Sequence, residues 1–386
     1  MSKLREKLVP LAATIALTLP AGAMATNGIL PLGNGMIAHG FGGAGMANGA
    51  ETMSAVDNPA LTSQVSNQWS VGASLFNPNR SASVDGTTYV ESDSNYFIIP
   101  QGGWITNSSD KVDWGVVAYA MGGMSTDYPA SLTGTASSAS LQGMIVAPTM
   151  SYKIGNNGAV GVSLLIGYET LETTGSFGGN NSDSATGFGF KLGYVQDVTP
   201  GTTIGVIYQP VLEMSEMDAH CNGGILNDIK AGGHDCALSL PEQYGLGIKQ
   251  KLGAEWMLVA DYLQVNWTSV DVFKYGFQWE DQTIIKIGAE YALSNDSAIR
   301  FGYNHGESPV PDSKVAFNLA APAVTEDHYT VGYTKKLGGG AELTGYYAYV
   351  PENEQTQNGA VPSGYSPVAK VKMDQHALGI GYNKRF

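Results

Sequence analysis

The two cysteines are the residues whose chemistry is most narrowly constrained, because Cys221 and Cys236 are the only ones in a chain of 386 residues. In an oxidising compartment they can form a disulfide. Closing this 16-residue loop would stabilise the fold by roughly 3 kcal/mol in the chain-entropy model. His220 and His234 flank the cysteines and add a zinc site as an alternative, although there is no C-x-x-C pair. We expect a disulfide and no metal.

Other motifs that could support catalysis or cofactor binding are weak. The chain contains no G-x-S-x-G motif, and of its six histidines only His328 and His376 fall within predicted strands, without a serine partner signature. The segment Gly40–Gly45 matches a dinucleotide fingerprint in form, but no strand precedes it and no βαβ unit contains it. We therefore expect neither an enzyme nor a bound cofactor.

Composition excludes two further classes of protein. The chain has 34 acidic and 20 basic residues, and the resulting formal charge of -14 would repel nucleic-acid phosphates. After the first residues it has no apolar stretch of about 18 residues, which excludes a helical membrane protein. What remains is an unusual chain with 50 glycines, 20 tyrosines and only 14% charged residues.

The amino terminus has the pattern of a secretory leader. Lys3, Arg5 and Lys7 precede the apolar run Leu8–Leu19, and the small-x-small box Ala23-Met24-Ala25 follows. We expect cleavage between Ala25 and Thr26, and hence export into an oxidising compartment.

From Gln68 onward, apolar residues alternate with small or polar ones, which is typical of half-buried β-strands. Several stripes end in tyrosine, as at Tyr194, Tyr208 and Tyr291, where a membrane barrel needs an interfacial aromatic girdle. The pattern predicts fourteen strands, near 68–76, 96–105, 112–121, 141–154, 159–169, 185–196, 202–214, 239–250, 255–267, 278–292, 297–304, 327–336, 341–350 and 372–386.

The connections between these strands alternate in length. They are about 10 to 24 residues after odd-numbered strands and about four to six after even-numbered ones, as in outer-membrane barrels with long outer loops and short periplasmic turns. The sequence thus predicts an all-β fold, a 14-stranded antiparallel transmembrane β-barrel in the bacterial outer membrane. We expect a monomer surrounded by lipid and lipopolysaccharide. The terminal aromatic residue Phe386 predicts recognition by the barrel-assembly machinery.

Residues 26–67 are rich in glycine, lack alternation and predict a compact plug. Within them, Gly40-Phe-Gly-Gly-Ala-Gly-Met-Ala47 and Asp57-Asn58-Pro59-Ala60 resemble the amino-terminal hatch of the FadL/TodX (OMPP1) family of outer-membrane transporters of hydrophobic compounds. In that family, a hatch with an Asn-Pro-Ala motif precedes fourteen strands. The resemblance implies a leader over 1–25, a hatch over 26–67 and a barrel over 68–386.

The resemblance also implies a route that needs no ATP. A ligand is captured in an apolar groove among the outer loops, moves to a pocket inside the barrel, and leaves sideways through a gap at a kink in the third strand. Candidate capture residues lie in or beside the loop that the cysteines would close, and candidate kink residues are glycines, which often mark bulges, with Gly115 as the second choice. They are Met214, Met217, Ile225 and Leu226 for capture, and Gly122, Gly123 and Gly115 for the kink.

Several basic residues fall on inward strand faces, where a cation could bind a ligand carboxylate. Of Lys153, Lys191, Lys249, Lys286 and Arg300, the candidates are Lys191, Lys286 and Arg300. Alternatively, these cations pair with inward acids such as Glu290 and only line the lumen. Long-chain fatty acids are the leading ligand, because they are the family's best-known substrates and inward cations are available. Aromatic or alkane hydrocarbons come second, and a non-specific porin or adhesin, against which the hatch argues, comes third.

Overall fold

The fold is given by a computed structural model that describes residues 26–358 and 366–386. The predicted leader over 1–25 lies outside the described residues, as does the Ala25 side of the cleavage site. No helix in the described chain is both long and apolar enough to cross a bilayer.

Fourteen long antiparallel strands form one continuous sheet, in which neighbours along the chain are neighbours in space. The sheet closes on itself because the first strand pairs with the last, from Gln68 opposite Arg385 to Ser83 opposite Lys370. The predicted fold class is therefore confirmed. The strands are β1 Gln68–Ser83, β2 Phe97–Asn107, β3 Val112–Tyr128, β4 Ser137–Ile154, β5 Gly158–Thr173, β6 Asn181–Thr199, β7 Thr202–Gln209, β8 Glu242–Leu252, β9 Trp256–Asn266, β10 Gln282–Ser294, β11 Ser297–Gly306, β12 Asp327–Gly338, β13 Ala341–Thr356 and β14 Lys370–Arg385.

Side chains alternate between the two faces of this wall. Phe188 and Leu378 are 69% and 60% exposed on the outer face, whereas inward-facing Gln243 and Thr330 are buried in the lumen. An apolar outer face with a polar or small inner face is the arrangement that lipid imposes on a barrel. The terminal residue Phe386 follows β14, and its ring stacks on that of Trp104 in β2 at a centroid distance of 6.5 Å.

The strands differ from their predicted limits mainly at the outer ends. β4 has 18 residues, whereas a tilted strand needs only about 9–11 to cross the bilayer. Its outer part, which begins at Ser137, carries small polar residues without an apolar stripe, so periodicity could not reveal it. β7 ends at Gln209 because Pro210 has no backbone donor for the ladder. β10 begins only at Gln282, after a helical turn.

The remaining elements are short. The hatch contains the helices α1 Met36–Gly40 and α2 Ser54–Asp57 and the 3-10 helix Pro59–Gln64. The outer loops contain α3 Ala130–Thr133, α4 Asp218–Cys221, α5 Asn227–Ala231, a π-helix over Val272–Phe277, and 3-10 turns over Gly175–Phe177, Trp267–Ser269 and Asp312–Asn318. Two short strands, Val90–Glu91 and Glu213–Met214, pair with β1 and β6.

The hatch fills the lumen because the wall presents glycines where the hatch backbone approaches it. A β-carbon at Gly193 would collide with the Asn58 side chain, and one at Gly205 would collide with the Met46 carbonyl oxygen. Gly161 leaves room in the same way for Pro59 and Ala60. The motif Asn58-Pro59-Ala60 therefore lies directly against a flat wall built from β5, β6 and β7.

Asn58 fastens the hatch at this seat. It is fully buried, its Nδ2 donates to the carbonyl oxygens of Met46 at 2.9 Å and Tyr194 at 3.1 Å, and its Oδ1 accepts the Ala60 N–H at 3.0 Å. The last bond caps the 3-10 helix that follows. One side chain thus joins two parts of the hatch to the barrel wall.

We predict that Asn58→Leu loosens the hatch and leaves the barrel intact. The substitution leaves the Met46 carbonyl oxygen and the Ala60 N–H without a partner, and each such loss costs about 1–3 kcal/mol. Hydrogen exchange should accelerate in residues 36–64 and remain slow in the strands. Asn79→Leu, at an exposed position of β1, is the matched control. Unchanged exchange in the hatch of the Asn58 variant would show that this side chain is not the fastener.

Candidate functional site

An apolar pocket of about 40 Å³ lies among the outer loops. The hatch contributes Ile29 to its lining, and three long loops, those between β7 and β8, β9 and β10, and β11 and β12, contribute the rest of its outer rim. Every lining side chain is apolar except for the indole N–H of one tryptophan, so the pocket suits an apolar ligand. The lining comprises Ile29, Met124, Ala139, Leu141, Leu171, Ile225, Leu226, Leu238, Phe273, Phe277, Trp279, Ala320 and Ala321.

The four predicted capture residues are all at least partly buried in this region. Ile225 and Leu226 line the pocket. Met214 and Met217 do not line it, but they are buried in the apolar cluster that surrounds it, with Met214 packed over Gly187 of the wall. The structure thus places two of the four at the pocket and two behind it.

A disulfide between Cys221 and Cys236 holds the loop that carries Ile225 and Leu226, with the two Cα atoms 6.0 Å apart. The flanking histidines are engaged elsewhere. His220 Nε2 lies 2.8 Å from the Leu171 carbonyl oxygen, and His234 stacks on Tyr275 at 3.8 Å. The four side chains considered for zinc therefore do not converge, and both sulfurs are in the disulfide.

Three aromatic residues of the loop between β9 and β10 form the other side of the pocket, and sequence reasoning missed them. Phe273 and Trp279 stack at 4.9 Å, and the Trp279 N–H donates to Asn318 Oδ1 at 2.7 Å. Phe277 packs beside them at the end of the π-helix. The available signal is four aromatic residues within the seven positions 273–279, which the predicted strand limit at 278 divides between a loop and a strand.

A second cavity, of about 70 Å³, lies inside the barrel between the hatch and the wall, and it is charged. Lys191 and Lys286 line it, as do Asp57 of the hatch and Asp261, the cross-strand neighbour of Lys286. The lysines donate to hatch carbonyl oxygens, Lys191 to that of Val56 at 3.0 Å and Lys286 to that of Leu32 at 2.9 Å. Asp261 accepts the Gly45 N–H at 2.7 Å. Lys191, Lys286 and Asp261 of the wall thus bond directly to the hatch backbone.

Arg300, the third predicted cation, lies outside this cavity lining. Its guanidinium pairs with Glu290 at 2.6 Å, donates to Thr334 Oγ1 at 2.7 Å and covers the Phe41 ring at 5.4 Å. Glu290 pairs with Arg300 and not with Lys286 because the two face each other across β10 and β11. Arg300 therefore contacts the hatch through Phe41, and its charge is balanced by Glu290 of the neighbouring strand.

The hatch itself carries titratable groups in buried positions. Glu51 accepts the Ile37 N–H at 2.6 Å, and burial raises the pKa of Glu51 to about 7. Burial also raises the pKa of Asp57, against the opposing attraction of Lys286 and Lys191. His39 stacks on Tyr346 at 4.3 Å, and burial lowers the pKa of His39 to about 4. The ionised forms of all three groups are disfavoured in the closed lumen.

The hydrogen-bonded pairing between β2 and β3 stops part of the way along the strands. It runs from Asn107 opposite Asp113 to Gly102 opposite Ala118. Nearer the outer end, the Asp93 N–H donates to the Asp127 carbonyl oxygen at 2.8 Å. Unpaired strand backbone within a barrel wall leaves a lateral gap, because closure requires continuous inter-strand bonding.

β3 also bulges at this gap. Its register against β4 shifts between Ala120 and Gly122, which leaves Met121 as the extra residue. Gly122 has φ 143°, and a β-carbon there would collide with the Ile29 carbonyl oxygen of the hatch. The Gly123 N–H donates to that same oxygen at 3.1 Å. Gly115, the second predicted kink residue, pairs regularly with Ile105 and Thr149 and lies below the bulge.

Comparison with known proteins gives the family. The family model described as outer membrane protein transport protein (OMPP1/FadL/TodX) matches residues 12–386. No curated protein matches the chain.

Solved structures share the fold at low sequence identity. The toluene transporter TodX of Pseudomonas putida is 16% identical with a TM-score of 0.71, over 92% of this chain and 99% of that one. The toluene transporter TbuX of Ralstonia pickettii is 17% identical with a TM-score of 0.67, over 92% and 99%. A FadL homologue of Pseudomonas aeruginosa is 13% identical with a TM-score of 0.65, over 95% and 100%. The chain therefore belongs to the OMPP1/FadL/TodX family, the bacterial outer-membrane channels that transport hydrophobic compounds.

Proposed function

We propose that this protein takes up hydrophobic compounds by passive diffusion. The ligand binds in the outer apolar pocket, displaces the first turn of the hatch, and leaves through the gap between β2 and β3 into the membrane. The supporting observation is that Ile29 contacts both the outer pocket and the bulge of β3. Its side chain lines the outer pocket, and its carbonyl oxygen accepts the Gly123 N–H at the bulge. Filling the pocket and releasing the bulge are therefore coupled through one residue.

Burial of the ligand supplies the free energy for capture. Each methylene group that leaves water contributes about 0.8 kcal/mol, and the polar lipopolysaccharide layer obstructs direct partition of such a molecule into the membrane. Lateral release returns the ligand to an apolar phase without exposing it to water again.

Long-chain fatty acids are the ligand class that we propose first. Lys191 and Lys286 line the inner cavity, where a ligand carboxylate could replace the hatch carbonyl oxygens of Val56 and Leu32 as their acceptor. The exchange is favourable because hydrogen bonds between two charged groups are stronger than those to a neutral carbonyl. It requires the hatch to move, which is the same movement that the route requires.

Aromatic hydrocarbons are the second candidate class. The observation in their favour is the aromatic side of the outer pocket, where Phe273, Phe277 and Trp279 present ring faces and edges to a ligand. Alkanes would gain the same apolar burial without these ring contacts. A non-specific porin or adhesin is a weaker proposal, because the hatch seat at Asn58 and the two lysines closes the lumen.

The proposed route predicts that Gly122→Ala releases the first turn of the hatch. The added methyl group collides with the Ile29 carbonyl oxygen, so hydrogen exchange in residues 26–33 and uptake of labelled ligand by cells should both increase. Gly345→Ala is the control, since its nearest wall contact leaves ordinary space at 3.4 Å. If the Gly122 variant showed wild-type exchange and uptake, the contact between Gly122 and Ile29 would have no role in lateral release.

The fatty-acid proposal predicts that Lys191→Met and Lys286→Met weaken oleate binding by about tenfold or more, the loss expected for one charge-assisted hydrogen bond. Binding of octadecane should change little, because Met preserves the apolar volume. Lys249→Met, on the inward face of β8 but outside the cavity lining, is the control. Equal losses for both ligands, measured by calorimetry on purified protein, would exclude these lysines from carboxylate recognition and favour the hydrocarbon alternative.

The movable hatch predicts a pH effect at Glu51. The pKa of Glu51 is raised to about 7 in the folded state. The folded hatch therefore becomes less stable as pH rises from about 4.5 to 7, because ionising the buried carboxyl group is unfavourable. Glu51→Gln removes this loss and keeps the oxygen that accepts the Ile37 N–H. At pH 8 the variant hatch should be more stable by up to about 3 kcal/mol, seen as slower hydrogen exchange, and the difference should vanish near pH 4.5. Glu172→Gln, at an exposed position of β5, controls for the lost charge, and faster exchange in the Glu51 variant at pH 8 would contradict the argument.

A further inference from the structure

Glu169 is a buried carboxyl group that the described structure leaves without a partner. It lies on the inward face of β5, is 1% exposed, and its Oε1 has no hydrogen-bonding partner among the described residues. Leaving a polar group unpaired in an apolar setting costs several kcal/mol. Such a position needs a reason other than the stability of the resting protein.

The described neighbours of Glu169 on the adjoining strands are apolar or small. Its cross-strand neighbours are Gly143 of β4 and Ala185 of β6. A β-carbon at Gly143 would meet the Met121 side chain on one side and Glu169 on the other, so these two side chains flank the same glycine. Leu171, the next inward residue on β5, is buried in the main apolar cluster together with Met121 and Ala185.

These neighbours place Glu169 on the proposed route. Leu171 lines the outer pocket, and Met121 lines the inner cavity and is the extra residue of the β3 bulge. Glu169 lies beside both residues, and hence between the pocket and the lateral gap. A molecule passing from one to the other moves through an otherwise apolar stretch in which this carboxyl group is unpaired.

We propose that Glu169 is a specificity-determining residue that accepts a hydrogen bond from a hydroxyl group of the passing ligand. It favours hydrophobic alcohols and phenols over hydrocarbons of the same shape. The inference rests on the route proposed above and adds a preference within it. The ligand hydroxyl satisfies the buried acceptor, and the apolar neighbours contact the rest of the molecule.

Lys191 is too far from Glu169 to serve the same ligand group. Lys191 lies opposite Ser163 of β5, and Glu169 is six residues further along that strand. At about 3.3 Å per residue the two positions are roughly 20 Å apart along the wall. Carboxylate recognition by Lys191 and hydroxyl recognition by Glu169 are therefore separate properties of one passage.

The test compares three probes of similar shape on the purified full-length protein: toluene, 4-methylphenol and 4-methylanisole. We expect 4-methylphenol to bind about tenfold more tightly than toluene, whereas 4-methylanisole, which lacks the donor, should bind like toluene. Glu169→Leu should abolish this preference and keep or improve toluene binding. Glu169→Gln, which retains an acceptor oxygen, should keep the preference to within about threefold.

Glu172→Leu, at an exposed position of the same strand, is the control and should behave as wild type. Calorimetry gives the affinities, and the heat-dependent mobility of the barrel on gels confirms that each variant is folded. If Glu169→Leu does not fold, the wild-type probe ratios and Glu169→Gln still decide the question. A wild-type protein that binds all three probes equally overturns the role of Glu169 alone. A wild-type protein that binds none of them overturns both this role and the proposed route.

Discussion

Inter-strand hydrogen bonding is the constraint on which the rest of the structure depends. In lipid every backbone group of the wall needs a partner, and the pairing of β1 with β14 closes the sheet on itself. Among the described residues, pairing between β2 and β3 stops beyond Gly102 and Ala118, and there the hatch supplies a carbonyl oxygen, that of Ile29, to the Gly123 N–H. In the proposed route, opening at that point breaks this hydrogen bond between the hatch and β3 and no bond between two strands.

The lumen shows how the unusual composition is used. Glycines such as Gly193 and Gly205 remove side chains from the wall where the hatch backbone lies against it, so a plug of about 40 residues can pack inside a barrel that side chains would otherwise fill. Charges in the lumen are few and are matched: Arg300 by Glu290, and the two lysines by Asp57, Asp261 and hatch carbonyl oxygens. Glu169 Oε1 has no such partner among the described residues, and the proposed ligand contact is argued from that.

The two cavities divide the chemistry of the passage. The outer pocket is apolar and is held by the Cys221–Cys236 disulfide on one side and by an aromatic cluster around Trp279 on the other. The inner cavity is polar, and its polar groups bind the hatch in the resting state. On the proposed route, a ligand would contact the apolar lining first and the charged groups only once the hatch had moved.

Much of this could be predicted from local sequence. Alternation with period two indicated fourteen strands and a lipid-facing stripe, because each side chain's face follows from its position along its own strand. The long and short connections indicated the barrel, and the Asn58 motif indicated the hatch. Partners across the lumen could not be predicted in this way. Glu290 is a candidate partner of Lys286 by sequence spacing and pairs with Arg300, and Phe273 and Trp279 line one pocket with Ile29 only in the folded chain. Strand register and the course of the hatch decide these contacts, since they join residues that are far apart in sequence and carry no mutual signal along it.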